Sequence, residues 1–415
     1  MAKVEIGSHV PFAIDADSPL VSHGLLPDPE PRPVRYTIIS VDDHLVEPPD
    51  MFEGRLPAKY QADAPRVVEL ENGAEAWSFD GQLYLQIGLN AVAGRPREDW
   101  NMKPTRFDQI RPGCWQIKER IRDMDINGVW ASANFPSQIA GFAGTVFART
   151  KDPELGIATM RAWNDWLFEE WYSPFPERII PMGITWLMDP ELGAEEIRRN
   201  AARGFTAVTL PEQPHRLNLP SVFSGYWDPI IRACVETETV IALHVGSSGL
   251  LPSPDDAPKL EMAATMFPLQ SAQTAAEWIW SGIPTRFPDV KVTLSEGGIG
   301  WVPMMLDRLE YMFQQSGYDR SVWADPDFSP AEILLRNFYF CSIDDPTTFA
   351  VRDRIGVDHI MVEADYPHAD SSWPDTQDYV ARMLRHVDNL EDIRKITHRN
   401  AAQVFRHPLP PHPVP

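Results

Sequence analysis

Asp42 and His44 stand one residue apart in the run I-I-S-V-D-D-H-L-V-E-P-P-D, from Ile38 to Asp50. Side chains two apart on a strand share a face, so this carboxylate and imidazole can bind one ion together. Such a donor pair suits zinc, manganese or iron. Three further apolar runs end on residues of the same kind: V-I-A-L-H on His244, K-V-T-L-S-E on Glu296 and H-I-M-V-E-A-D on Asp365. Glu296 has two open uses, as a ligand to a second ion or as a group that moves protons. His368, three residues past Asp365, is placed to hydrogen-bond a substrate, to stand behind a metal ligand, or to lie on the loop surface. Asp43 falls on the opposite face of its strand, and Glu47 in the following loop is expected to orient a ligand as an acceptor. Asn134, Glu212 and His215 follow other strands and can line a pocket or cap their loops. Arg308 is expected to pair with Asp307 or Glu310 on a helix, and His398 to sit at a helix start away from the chemistry.

Four separate strands must deliver these groups to one place, and the chain contains the means. The runs I-I-S-V-D-D-H, V-W-A-S-A-N-F, R-I-I-P-M-G-I-T, T-A-V-T-L, T-V-I-A-L-H, K-V-T-L-S-E, N-F-Y-F-C-S and H-I-M-V-E-A-D read as eight strands. Helical patterns separate them, over 109–127 (closing at Asn127-Gly128), 154–172, the stretch P-E-L-G-A-E-E-I-R-R-N-A-A-R-G, 226–237 and the stretch through W-I-W-S-G. A loop is predicted from Gly246 to about Met266. Strands joined by helices pair in parallel, and eight such units close into a (β/α)8 TIM barrel, an α/β fold whose sites lie at the C-terminal strand ends. Residues 64–90, with Asn-Gly and Asp-Gly between alternating runs, read as a small β insertion, whose aromatic residues are placed to cover a pocket mouth. The domain plan is an arm over 1–35, the barrel over 36–406, and a Pro-rich tail over 407–415.

A net charge of -22 disfavours nucleic acid and anionic membranes as partners, because both require a basic face. No apolar run reaches the ~20 residues of a membrane span, and the N-terminal stretch lacks a signal-peptide pattern, so a soluble, cytoplasmic protein is expected. Three scattered cysteines, Cys114, Cys234 and Cys341, indicate buried free thiols and no thiolate zinc site. With 40 prolines concentrated in the arm, the loops and the tail, the termini read as extended segments that hug a surface or a neighbouring subunit. Neither a dinucleotide fingerprint nor a P-loop is present, and the tryptophans are assigned to core and lid.

Over 36–406, including R-I-R-D-M-D-I-N-G-V and I-T-H-R-N-A-A-Q-V-F, the sequence resembles the amidohydrolase superfamily, in the branch of aminocarboxymuconate-semialdehyde decarboxylase. The resemblance implies an amidohydrolase-type barrel with one or two divalent metals (zinc, manganese or iron) on Asp42, His44, His244 and Asp365. The branch's decarboxylases carry a histidine where this chain has Glu296 in S-E-G-G-I-G-W-V-P. Three functions follow as expectations: a hydrolase or carboxy-lyase on a small carboxylate or carbonyl substrate, with Glu296, Asp365 and His368 as its reacting groups; a dinuclear iron or manganese/iron oxygenase in which Glu296 is a ligand; or a non-catalytic barrel subunit. A homo-oligomer, or a hetero-oligomer with a paralogous subunit, is the expected assembly.

Overall fold

The computed structural model describes residues 5–6 and 24–414, apart from 102–104, 255, 316–322, 324 and 326. Most of the predicted arm, 1–35, therefore lies outside the described residues. Eight parallel strands carry the fold: β1 (Ile39–His44), β2 (Ala131–Phe135), β3 (in two pieces, Ile179–Ile180 and Met182–Gly183), β4 (Ala207–Leu210), β5 (Val240–His244), β6 (Val292–Ser295), β7 (Phe338–Ser342) and β8 (Ile360–Val362). Each pairs with its sequence neighbour, and β8 pairs with β1 through Val362 and Ser40. The first piece of β3 pairs with β2 and the second with β4. Pro181, which has no N–H to give, divides these pieces while its carbonyl accepts from Thr206 N at 3.2 Å. The two ends of the ladder are thus halves of one interrupted strand, and the strand order is that of a (β/α)8 barrel.

The strands are almost wholly buried, β1 at all six positions, as parallel strands covered on both faces must be. Around them lie α1 (Ile117–Asn127), α2 (Pro153–Trp166), α3 (Pro190–Ala201), α4 (Asp228–Glu236), α5 (Lys259–Trp280), α6 (Val302–Gln314), α7 (Pro330–Asn337) and α8 (Thr376–Met383). Short helical turns, Thr348–Val351 and Arg352–Ile355, stand between β7 and β8. Asp152 and Asp189 cap α2 and α3 by accepting backbone N–H groups of the first turn, the role their side chains favour. Gly128 closes α1 in the left-handed conformation at φ 70°, as the Asn-Gly pair indicated.

Two boundaries differ from the sequence reading. α1 starts at Ile117 and not at Gln109, because Pro112 and Gly113 break the segment into separate 3-10 turns. The loop expected to reach Met266 ends earlier, since α5 begins at Lys259 and carries Pro268 inside a 22-residue helix. Tertiary packing along so long a helix outweighs one missing backbone donor.

The insertion is the expected antiparallel unit, Arg66–Glu69, Glu75–Phe79 and Gln82–Tyr84, joined by the N-terminal strand Glu5–Ile6. Its tryptophan is no lid: Trp77 is fully buried, edge-on to Phe52 at 5.8 Å. All three cysteines are free and buried. Among the described residues, no helix is long and apolar enough to cross a membrane. The C-terminal tail returns to the start of β1, where Val414 N donates to Thr37 Oγ1 at 2.8 Å.

Candidate metal centre

Asp42 and His44 leave the end of β1 on the same face, with His44 Nε2 3.5 Å from Asp42 Oδ1. Across the barrel, 200 residues on, His244 ends β5 and brings its Nε2 to 3.1 Å from His44 Nε2. The same atom lies 3.5 Å from Asp42 Oδ2 and 3.7 Å from Glu296 Oε2. Asp365, past the end of β8, sets Oδ1 3.3 Å from His44 Nε2 and 3.0 Å from His368 Nδ1. Every sequence-predicted ligand is therefore gathered at one mouth. These spacings are those of donors around one ion: bonds of about 2.1 Å at tetrahedral angles separate ligand atoms by about 3.4 Å.

Both carboxylate oxygens of Asp42 and of Asp365 are buried and lack a hydrogen-bond partner. An orphaned buried acceptor is costly, and four at one point call for a cation. Burial, with the charges of Glu363 and Asp43, pushes the Asp42 carboxyl far above its usual range. Burial, then repulsion from Asp370, Glu296 and Asp42, does the same to Asp365. The imidazoles move the other way, because burial holds His244 down to about 3 and His44 well below its ordinary value. Burial thus disfavours charge on the imidazoles and the carboxyls alike, and a divalent ion would offset that penalty for the carboxylates. His244 Nδ1 lies 2.6 Å from the Val245 carbonyl, which fixes that nitrogen as the donor and leaves Nε2 unprotonated toward the centre. The residues present fit a divalent metal.

Glu296 and Asp365 both take the left-handed backbone conformation, φ 61° and 52°, which non-glycine residues adopt at a cost of order 1–3 kcal/mol. Glu363 holds the first of these turns by accepting Glu296 N–H at Oε2, 3.0 Å away. The following Gly297 packs so close to α5 that a Cβ there would lie 2.3 Å from Ser271 Oγ. Asp43 Oδ1 accepts Tyr366 N–H at 3.1 Å and Ser40 Oγ–H at 3.0 Å, tying β1 to the Asp365 loop.

The supporting residues differ in part from expectation. Glu47 orients no metal ligand: its Oε1 accepts Ser137 N at 3.0 Å and Trp163 Nε1 at 3.2 Å. Asn134 does not line a pocket, since its Oδ1 accepts Trp171 Nε1 at 2.8 Å. Glu212 is a loop latch, accepting Gly246 N at 2.8 Å and Gln270 Nε2 at 2.6 Å through Oε1, and Thr274 Oγ1 at 3.1 Å through Oε2. His215 sits 3.7 Å from Glu277 on a half-exposed side chain. Arg308 lies over the Tyr311 ring, and its expected partners Asp307 and Glu310 instead pair with Arg354. His398 is structural, reaching the Thr37 carbonyl.

Other groups escaped the sequence reading. Phe142 stacks on His244 at 4.7 Å, and Phe135 packs edge-on to it at 4.9 Å. Asp370 offers an oxygen within 4.8 Å of Glu296 and Asp365 donors. Its only sequence signal was proximity to His368. Arg120 of α1 is fully buried beneath the site; its Nε donates to the Gly113 carbonyl at 2.8 Å and its Nη2 to that of His44.

A family model described as amidohydrolase matches residues 99–407, a span that takes in β2 to β8. Among solved structures, an amidohydrolase from Mycobacterium avium subsp. paratuberculosis is 22% identical, over 90% of this chain and 100% of that one, with a TM-score of 0.68. A 5-carboxyvanillate decarboxylase from Novosphingobium aromaticivorans, complexed with manganese and 4-hydroxy-3-methoxy-5-nitrobenzoic acid, is 19% identical, over 89% of this chain and 96% of that one, with a TM-score of 0.60. Both likenesses establish the fold. Of curated proteins, the 2-amino-3-carboxymuconate-6-semialdehyde decarboxylase of Dictyostelium discoideum is 22% identical over 211 residues, 50% of this chain and 54% of that protein. A decarboxylase of Aspergillus niger is 29% identical over 153 residues, 35% of this chain and 39% of that protein. The chain thus spans about half or less of the length of the curated relatives it matches.

Proposed function

The chain belongs to the amidohydrolase family, and from that premise we propose that it is a metal-dependent carboxy-lyase that removes CO2 from a small carboxylate. The observation that carries this reading is the set of four orphaned carboxylate oxygens, on Asp42 and Asp365, facing two neutral imidazoles. Asp42, His44, His244 and Asp365 would hold the ion, manganese or zinc, with His368 braced against Asp365. When bound, such an ion acts as a Lewis acid on a substrate oxygen. Loss of CO2 leaves the bonding electron pair on the substrate carbon, which then takes a proton. Glu296 stands beside His244 to supply it, its carboxyl pushed well above its usual range by burial and by the charge of Asp370. Phe135 and Phe142, packed on the His244 ring, make that side of the site apolar. Turnover as a hydrolase would use the same residues, with Asp365 accepting the proton of a water. The names of the curated relatives favour decarboxylation.

The test is elemental analysis of protein purified without chelator, followed by CO2 release from a panel of small aromatic and unsaturated carboxylates. About one ion per chain and CO2 release are expected, and His244→Ala should lose both, with metal affinity down at least ~100-fold, beyond the 10–100-fold typical of losing a supporting partner. A fully active His244→Ala protein without metal would sink the proposal. A second reading, a two-ion oxygenase centre, is favoured by one feature, the oxygens of Glu296, Asp365 and Asp370 within 4.8 Å of one another. It requires two ions per chain, one of them iron, and consumption of oxygen.

A further inference from the structure

Beside the ligand cluster, a cavity of about 220 Å3 opens at His368. Its walls come from stretches far apart in the chain, among them Leu26 and Pro27 of the arm, Ala93 and Arg97 of the loop after the β insertion, Trp100, and Trp373 of the loop after β8. The arm is fastened there, since Leu26 N donates to the Gly94 carbonyl at 2.7 Å and Asp28 Oδ1 accepts from Arg111 Nη2 at 2.8 Å. Arg111 in turn grips Asp123 at 2.7 and 2.6 Å and lies 4.8 Å over the Trp373 ring. At the outer rim the Arg97 guanidinium stands 5.0 Å over Trp100. At the inner end His368 is 5% exposed, and its Nε2 is buried without a hydrogen-bond partner.

Size and chemistry decide what fits. A dry apolar cavity of about 150 Å3 is enough to hold benzene, so this one has room for a ring and a small substituent. It falls short of the roughly 300 Å3 at which whole drug-sized ligands are usually housed, so it takes a limb and not a complete substrate. We propose that this cavity is the subsite for an apolar, ring-sized limb of the substrate, with the arm as its outer wall. The inference rests on the proposed function, in that the remainder of the same substrate lies at the ligand cluster.

The test uses indole as the probe, titrated into the full chain as purified and read by ligand-observed NMR, with manganese affinity measured by calorimetry on the same samples. Saturable indole binding is expected. It should weaken at least tenfold in Ala93→Leu, which fills the cavity, and in Leu26→Asp, which sets a charge in its wall, while manganese affinity stays unchanged in both. Leu26 is 50% exposed, so its variant folds even where the filled cavity is overpacked, and weakening in Leu26→Asp alone supports the proposal. Lack of saturable indole binding, or equal binding by the parent and both variants, overturns it. Protein that binds manganese but no indole keeps the metal centre and loses the subsite; protein that binds indole but no manganese does the reverse.

Discussion

At the scale of single residues, the site is a set of buried acceptors that the fold leaves without donors, and Glu212 shows the satisfied case beside it. Its carboxyl is fully buried like those of Asp42 and Asp365, yet both of its oxygens are occupied by donors. Burial still pushes it up to about 7. A carboxyl raised on folding keeps its proton in the folded state while the unfolded chain gives it up, so stability falls as pH rises from the ordinary glutamate range to about 7, and is level below that window. A rise to about 7 corresponds to a stability effect on the order of 3 kcal/mol. Glu212→Gln should remove it, so that stability drops less between pH 5 and pH 8 than in the parent by roughly that amount. Denaturant unfolding at the two pH values measures this, and equal drops would show that Glu212 carries no such effect.

At the scale of elements, β1, which carries Asp42 and His44, is held in place by a group behind it. β1 is backed by α1 through Arg120, whose guanidinium binds the His44 and Gly113 carbonyls and lies 4.4 Å over the Tyr366 ring. Its charge also lowers the buried carboxyl of Asp43, which burial alone would leave higher than its value of about 6. Arg120→Met would orphan both carbonyls and leave Asp43 without a cation, at a cost of about 2–4 kcal/mol. Arg120→Lys should recover little, because an ammonium cannot reach two carbonyls with a planar fork. Chemical denaturation checks the first figure, and a loss below about 1 kcal/mol would mean that α1 does not hold β1 through this residue. Manganese binding by the same variants should weaken, since the carbonyl that Arg120 grips belongs to His44, a proposed ligand.

At the scale of the whole molecule, the proposed metal binding would be linked to folding of the barrel, because the proposed ligands come from strands on opposite sides of the ring. An ion that binds the folded state alone stabilises it by RT ln(1 + [L]/Kd), about 4 kcal/mol at a thousandfold excess over Kd. Manganese should therefore raise the midpoint of thermal unfolding by several degrees in the parent and by a third of that or less in His244→Ala, as calorimetry would register; an equal rise in both would place the ion elsewhere.

The order of strands and helices was legible along the chain, because periodicity is local: an apolar run bounded by breakers declares a strand whatever lies across from it. The same locality made Asp42, His44, His244 and Asp365 legible, as strand-end residues of ligating type. Helix starts were less so, since Pro112 and Pro268 look alike in sequence and only packing decides that one interrupts a helix and the other is carried inside it. Residue type alone also could not separate buried carboxylates that are satisfied from those that are not. Glu212 finds donors for both of its oxygens, the farthest 62 residues away, whereas the oxygens of Asp42 and Asp365 lie without donors beside the imidazoles of His44, His244 and His368. That distinction is made by distances across the barrel, where the solvation a carboxylate loses on burial is either replaced by N–H and O–H groups or left for a cation to supply.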